Sequence, residues 1–404
     1  MNVLFIGVNV YPVTDANGNC ILAVAERLQK KGVNIHIVAD TIVDGKDVCY
    51  NLQGIKVYNI KKNFFDKCMC DYVFSKIIRY VYKIIQLPFY PIDKAYTYYR
   101  LYKIIKELDK KHHFHAIVSV FQPMSSLFLG GWLKQRKKLI LYMLDTLVYY
   151  IPPHRVLPNW FIKKRFMQIE RWIYKKADLI INMQNYKSYY KDNVKFDCFE
   201  SKMRYVDFPL FTPTWEIDKS KNYFNNGKLN ISFMGSLYPE FRNPAYVLKV
   251  MSPILDEENS ILHFFSRGEE DVINDYSNKC TCIESHGFVS REIANEVKLS
   301  TDIFINIANN GVNMVPSKIF EYMSYGKRII HFYHGNEDTC IPYLKKYPYV
   351  LIINEMDDFY NNQKKIKDFM KIQIDLNKLG EILKGFKMNT PEYTANIIME
   401  ELNK

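Results

Sequence analysis

Short, predominantly apolar runs alternate along this chain with longer amphipathic stretches. In the first half the runs are Val3–Val8, Ile35–Ala39, His115–Phe121, Leu139–Leu144 and Leu179–Met183; in the second they are Leu229–Met234, Ile261–Ser266, Asp302–Ile307, Arg328–Phe332 and Val350–Ile353. Runs of this length without alternation predict strands buried on both faces. Between them, Cys20–Lys31 places Ile21, Leu22, Val24, Ala25 and Leu28 at helical spacing and stops at Gly32. Helices are likewise predicted over Asp71–Leu87, Ile92–Lys111, Pro158–Lys176, Pro244–Leu255, Val289–Leu299, Asp357–Leu383 and Pro391–Leu402. Strand and helix alternate in both halves, which predicts two doubly wound parallel sheets facing one another across a cleft. The aperiodic, Pro- and Asn-rich stretch Pro209–Asn226 marks the join.

Length agrees with that division, since 404 residues exceed one ordinary core. No run of eighteen apolar residues occurs, and MNVLFIGVNVYP lacks the basic start and small-residue cleavage site of a signal peptide, so a cytoplasmic protein is expected. The eight cysteines form no disulfide framework, and the pairs Cys68/Cys70 and Cys280/Cys282 lack zinc spacing. Charge changes the picture more. Up to Leu210 the chain carries 33 basic and 17 acidic residues; the remainder carries 22 and 26. The basic excess sits in Lys61–Lys111 and Lys134–Lys176, among many aromatic residues. On the Asp71–Leu87 helix, Val73, Ile77, Ile78, Val81, Ile84 and Ile85 make a stripe flanked by Lys76, Arg79 and Lys83. The stripe is expected to pack on the sheet, with an anionic membrane surface as partner for the basic residues.

Candidate chemistry lies where the strands end. The loop Asn9–Asn19, with Gly18 and Asn19, is expected to line a cleft, since it lacks the tight Gly-x-Gly-x-x-Gly turn of a dinucleotide fold. Asp145 follows a strand's carboxyl end, where open α/β sheets bind ligands. His154 and Arg155 precede a helix and could meet an anionic acceptor. In the second half, Gly235 and Ser236 end a strand; glycine permits close approach to a phosphate, and Arg242 could hold a diphosphate with two parallel hydrogen bonds. The richest stretch is Asn306–Phe332. There a strand and a polar loop lead to a helix with Pro316 in its first turn and Gly326 at its end. Ser317 and Lys318 stand beside the helix's unpaired N–H groups, and Glu321 lies one turn on, about 5.4 Å deeper. That is the offset between a diphosphate and its ribose.

The segments FMGSLYPEFRNP (Phe233–Pro244), HGFVS (His286–Ser290) and VPSKIFEYMSYGKRIIHF (Val315–Phe332) resemble the nucleotide-sugar domain of GT-B glycosyltransferases, in particular glycosyltransferase family 4 enzymes of bacterial surface polysaccharide synthesis. The resemblance implies an acceptor-binding domain over 1–210, a nucleotide-sugar domain over 211–385, and a C-terminal helix, 386–404, packing back on the first. By the same resemblance Gly235, Ser236 and Arg242 contact the diphosphate, Gly287 and Phe288 the base, Pro316, Ser317 and Lys318 the phosphates, and Glu321 the ribose. Many retaining members carry a glutamate eight positions before the ribose carboxylate. Here that position is Asn313, whose amide can hydrogen-bond sugar hydroxyls but brings no charge. Gln122 stands near the place of a histidine often found in the first domain.

The resulting expectation is transfer of a hexosyl unit from an NDP-sugar, UDP-linked by preference, to a glycan or lipid-carrier acceptor at the inner face of the plasma membrane. No Asp-x-Asp motif suggests a metal, so no cofactor is expected, and cationic side chains would stabilise the leaving diphosphate. Asp145 is the expected base if the enzyme inverts. A sugar-nucleotide epimerase of the same fold is the enzymatic alternative. A non-catalytic nucleotide-sugar or nucleic-acid binder is the other, but no nucleic-acid module is recognisable and the acidic second half opposes a duplex-binding surface.

Overall fold

The structure, a computed structural model, describes all residues except 8, 13, 45–47, 65, 67–74, 87–89, 91, 93, 122, 148–157, 215–222 and 310–317. The chain divides into two compact units, Met1–Leu210 with Met388–Lys404, and Phe211–Lys387.

The first unit is built on an eight-stranded sheet in the order β3-β4-β2-β1-β5-β6-β7-β8. Its members are β1 (Asn2–Ile6), β2 (Asn34–Val43), β3 (Cys49–Leu52), β4 (Ile55–Lys61), β5 (Ala116–Phe121), β6 (Lys138–Met143), β7 (Leu179–Met183) and β8 (Met203–Val206). All neighbours run parallel except β3 and β4, which form an antiparallel edge. Every residue of β5 and β7 is buried, because apolar layers cover both faces of the sheet. The helix Pro391–Leu402 belongs to this unit. It sets Ala395, Ile398 and Leu402 into the same core as Val24, Ala25 and Leu28 of the Ala16–Lys30 helix. Each of the two large side chains contributes roughly 1.5–3 kcal/mol by burial. Lys31 pairs with Glu392 at 2.6 Å across the same contact.

The second unit carries six parallel strands in the order β11-β10-β9-β12-β13-β14. They are β9 (Leu229–Ser236), β10 (Ser260–Arg267), β11 (Ile283–Ser285), β12 (Ile303–Ile307), β13 (Arg328–Tyr333) and β14 (Val350–Asn354). From β9 the chain winds outward through β10 and β11, then returns to place β12 on the other side of β9. The switch point, where open α/β sheets open a crevice, therefore lies between the carboxyl ends of β9 and β12.

Three expectations are corrected. The predicted loop Asn9–Asn19 ends early, because the Asp15 carboxylate accepts the Gly18 N–H at 2.7 Å and starts the helix at Ala16. Gly18 and Asn19 thus stand in a helical first turn, not in a loop. The single helix predicted over Asp357–Leu383 is two, Phe359–Met370 and Leu376–Gly385. Between them Tyr349 Oη pins the turn, accepting from the Asp375 N–H at 2.7 Å and donating to its carbonyl at 2.9 Å. Finally, the stripe on the Ser75–Gln86 helix does not pack on the sheet over its second half: Val81, Ile84 and Ile85 are exposed, as is Tyr80.

Candidate active site

At the second unit's switch point, Arg242 ties the two strand ends together. Its Nη1 donates to the Ser236 carbonyl at 3.1 Å, and its Nη2 donates to Asn309 Oδ1, just past β12, at 2.5 Å. Arg242 Nε is buried and has no hydrogen-bond partner among the described residues. Burial pulls the guanidinium below its ordinary pKa, partly offset by Tyr322, Tyr238 and Cys340.

Lys318, first residue of the Lys318–Ser324 helix, reaches back to the same place. Its Nζ donates to the Met234 carbonyl at 2.5 Å, where Tyr322 Oη also donates at 3.1 Å. Gly235 makes this possible: its φ of +147° suits glycine, and a Cβ there would collide with Lys318 Nζ. Burial, opposed by Glu321 and reinforced by Arg242 and Lys298, pushes the Lys318 ammonium down to about 8. On the far side of that short helix Ile319, Phe320 and Met323 are fully buried, which fixes the polar face.

Glu321 lies one turn on, and its Oε1 accepts from Lys298 Nζ at 2.5 Å. Lys298 comes from the Arg291–Ser300 helix and is nearly buried, so the ion pair is sheltered from solvent on one side. At the neighbouring end of β10, the Arg267 guanidinium lies 4.7 Å from the ring centre of Phe288, which is 70% exposed. Gly287 before it adopts φ +66° and turns the loop outward.

The structure therefore brings together Gly235, Ser236, Arg242, Lys318 and Glu321, and sets Gly287 and Phe288 at the adjoining strand end. Asn313, Pro316, Ser317, His154 and Arg155 lie outside the described residues. Sequence reasoning missed Asn309, Lys298 and Arg267, which reach the site from separate elements. Their one legible signal is position, each within a few residues of a strand terminus.

In the first unit Asp145 stands two residues past β6 and accepts a hydrogen bond from Tyr186 Oη at 3.0 Å. Burial raises its carboxyl above the usual range, and the tyrosine partly offsets this. Asp40, within β2, accepts from Ser125 Oγ at 3.3 Å. Gly18 is held against the Asn9 carbonyl so closely that a Cβ would overlap it, a packing reason for that glycine, while Asn19 is exposed.

No protein-family profile matches the chain, and no curated protein sequence does. Solved structures do. A trehalose-6-phosphate structure from E. coli with bound UDP-2-fluoro glucose aligns with TM-score 0.59 at 10% identity, over 100% of this chain and 99% of that one. The lipopolysaccharide outer core galactosyltransferase WaaB aligns with TM-score 0.52 at 10% identity, over 99% and 100%. A protein assigned as a UDP-N-acetylglucosamine 2-epimerase of Listeria monocytogenes aligns with TM-score 0.56 at 11% identity, over 98% and 94%. At such identities the likeness concerns architecture, and both parallel-sheet units take part in it: the chain has the GT-B fold of the glycosyltransferases its sequence resembles.

Proposed function

We propose that this protein is a glycosyltransferase that moves a hexosyl unit from an NDP-sugar, with UDP the favoured nucleotide, to a glycan or lipid-linked acceptor in cell-surface polysaccharide synthesis. One observation carries the reading: two half-buried cations, Arg242 and Lys318, meet at a glycine-lined switch point with a carboxylate one helical turn away. Such a set suits a diphosphate followed by a ribose. A buried guanidinium nitrogen without a partner is costly until an anion occupies it.

In the reaction an acceptor hydroxyl oxygen bonds to the anomeric carbon as the bond from that carbon to the phosphate oxygen breaks. Negative charge builds on the departing diphosphate, where Arg242 and Lys318 already stand and need no reorganisation. Lys298 orients Glu321 through Oε1, which leaves Oε2 to accept from a ribose hydroxyl. Phe288, backed by Arg267, offers a face on which a base can stack. The acceptor's proton passes to Asp145 in an inverting reaction or to the leaving phosphate in a retaining one. A carboxyl held above its usual pKa makes Asp145 the stronger base. No metal is required for this charge stabilisation. Asn313 would contact the sugar, Pro316 and Ser317 the phosphates, and Gly18, Asn19, His154 and Arg155 the acceptor.

The lipid-linked acceptor is supported by the first unit's surface. Lys76 and Arg79 are exposed beside Tyr80, Val81, Ile84 and Ile85, and Ile92, Ala95, Tyr98, Tyr99, Tyr102 and Trp132 line an apolar cavity of about 480 Å³. Among the described residues no helix is long and apolar enough to cross a membrane. A peripheral, basic and aromatic face suits association with an anionic bilayer.

The test is incubation with UDP-sugars, with and without membrane extract. NDP release that depends on the extract supports transfer. Isomerised donor without acceptor identifies an epimerase instead, and absence of nucleotide binding removes both.

A further inference from the structure

Two clusters of metal-ligating side chains occur among the described residues, both in the second unit. In one, His331, Asp338 and Cys340 satisfy each other. His331 Nε2 faces Asp338 Oδ1 at 2.9 Å, His331 Nδ1 faces Asn306 Nδ2 at 2.7 Å, and the Cys340 N–H donates to the same carboxylate at 2.8 Å. Nothing there calls for an ion.

The other cluster differs. His263 on β10 stands in register with Glu284 on β11, and His286, two residues further, returns to the same face. His263 Nε2 lies 3.0 Å from Asn230 Oδ1, while Asn230 Nδ2 is directed to the Lys228 carbonyl at 2.9 Å. The oxygen is thus the acceptor, Nε2 carries the hydrogen, and His263 Nδ1 is left as a bare lone pair on a ring with 1% of its side chain exposed. That lone pair faces Glu284 Oε2 at 3.2 Å and His286 Nε2 at 3.1 Å, and the latter two are 3.3 Å apart. A single hydrogen on His286 Nε2 cannot serve every edge of this triangle, and the edge between His263 Nδ1 and Glu284 Oε2 sets two acceptors face to face.

A cation at the centre resolves it. Metal–ligand bonds of about 2.0–2.1 Å give edges of about 3.3 Å in a tetrahedron and about 3.0 Å on an octahedral face, which bracket the observed spacings. The rings are already aimed: Phe224 stacks on His263 at 4.2 Å and Phe265 on His286 at 4.4 Å. The Asn230 contact is the outer hydrogen bond that ligating histidines use to fix their tautomer. Glu284 and His286 keep 45% and 25% of their side chains exposed, which gives an ion a way in.

We propose that His263 Nδ1, His286 Nε2 and Glu284 Oε2 bind a divalent transition-metal ion of the zinc class, with water completing its coordination. The ion is structural. It clamps β11 to β10 at the root of the Gly287–Phe288 loop, and it is separate from the diphosphate cations.

Full-length protein freed of metal with a chelator and titrated with Co(II) should take up one saturable equivalent, giving ligand-field absorption that Zn(II) displaces. Glu284→Gln and His286→Asn, both at the solvent edge, should each weaken binding by at least roughly tenfold with unchanged far-UV circular dichroism. Asn230→Ala should weaken it within about 10–100-fold. Zn(II) should raise the Tm of the unsubstituted protein and not that of Glu284→Gln. Absence of saturable binding, binding indifferent to both edge substitutions, or a thiolate-to-cobalt charge-transfer band placing the ion on cysteine would each overturn the assignment. None of these readouts depends on nucleotide binding.

Discussion

Glu170 in the first unit and Lys318 in the second are both drawn toward neutrality by burial, the carboxyl up to about 7 and the ammonium down to about 8. Their surroundings set them apart. Glu170 is enclosed by Tyr190, whose hydroxyl donates to Oε1 at 2.6 Å, and by Tyr174, which also reaches Asn182 at 3.0 Å. Its side chain is wholly buried and closed in by those tyrosines. Lys318 faces two other cations at a switch point. A shifted pKa therefore marks a desolvated group, and only its place in the topology separates a structural acid from a ligand-binding base.

The sharpest way to break this comparison is at Arg242. Arg242→Ala should weaken UDP binding by about 3 kcal/mol, since a sheltered charge-assisted contact to the diphosphate is lost, and Arg242→Lys should restore only part of it. Calorimetric titration checks this, and unchanged affinity would move the diphosphate elsewhere. Next is Glu170→Gln. The folded carboxyl titrates near 7 and the unfolded one near 4.5, so between those values the folded state holds more protons and stability falls as pH rises. Gln removes that dependence and should raise stability at pH 8 by up to about 3 kcal/mol, read as a Tm profile flattened between pH 4.5 and 7.

Glu321→Ala should cost about 1.5–3 kcal/mol in nucleotide affinity by losing ribose hydrogen bonds, with a smaller loss for a 2′-deoxy nucleotide. Lys318 offers a second pH test, of the same sign as that of Glu170 but read in nucleotide affinity. Its ammonium is present below about 8 and lost above, so UDP affinity should fall as pH rises beyond 8, by up to about 1.4 kcal/mol per unit, with proton uptake on binding. A flat profile there would detach Lys318 from the phosphates. The smallest effect concerns the surface: replacing Lys76 and Arg79 by glutamine should weaken sedimentation with anionic vesicles by about 1 kcal/mol per charge, with UDP binding intact.

Much of this was readable beforehand where physics is local. Buried parallel strands such as β5 and β12 are mostly apolar runs without alternation, and Lys318 and Glu321 share a helix face by spacing alone. The rest depended on distant partners. The β3–β4 hairpin is half exposed and weakly patterned, and the helix Met124–Leu133 is buried nearly all round, so neither shows a clear period. Lys298 reaches Glu321 from another helix, and His263 lies far along the chain from Glu284 and His286. Only folding reveals those meetings.

The return of the Pro391–Leu402 helix to the first unit bears on how the chain is made. The whole of Phe211–Lys387 is synthesised before the segment that covers Val24, Ala25 and Leu28. During translation the second unit can complete its core while the first still shows an open apolar face, so the order of folding runs against the order of the sequence. That uncovered face is where a chaperone would engage the nascent protein.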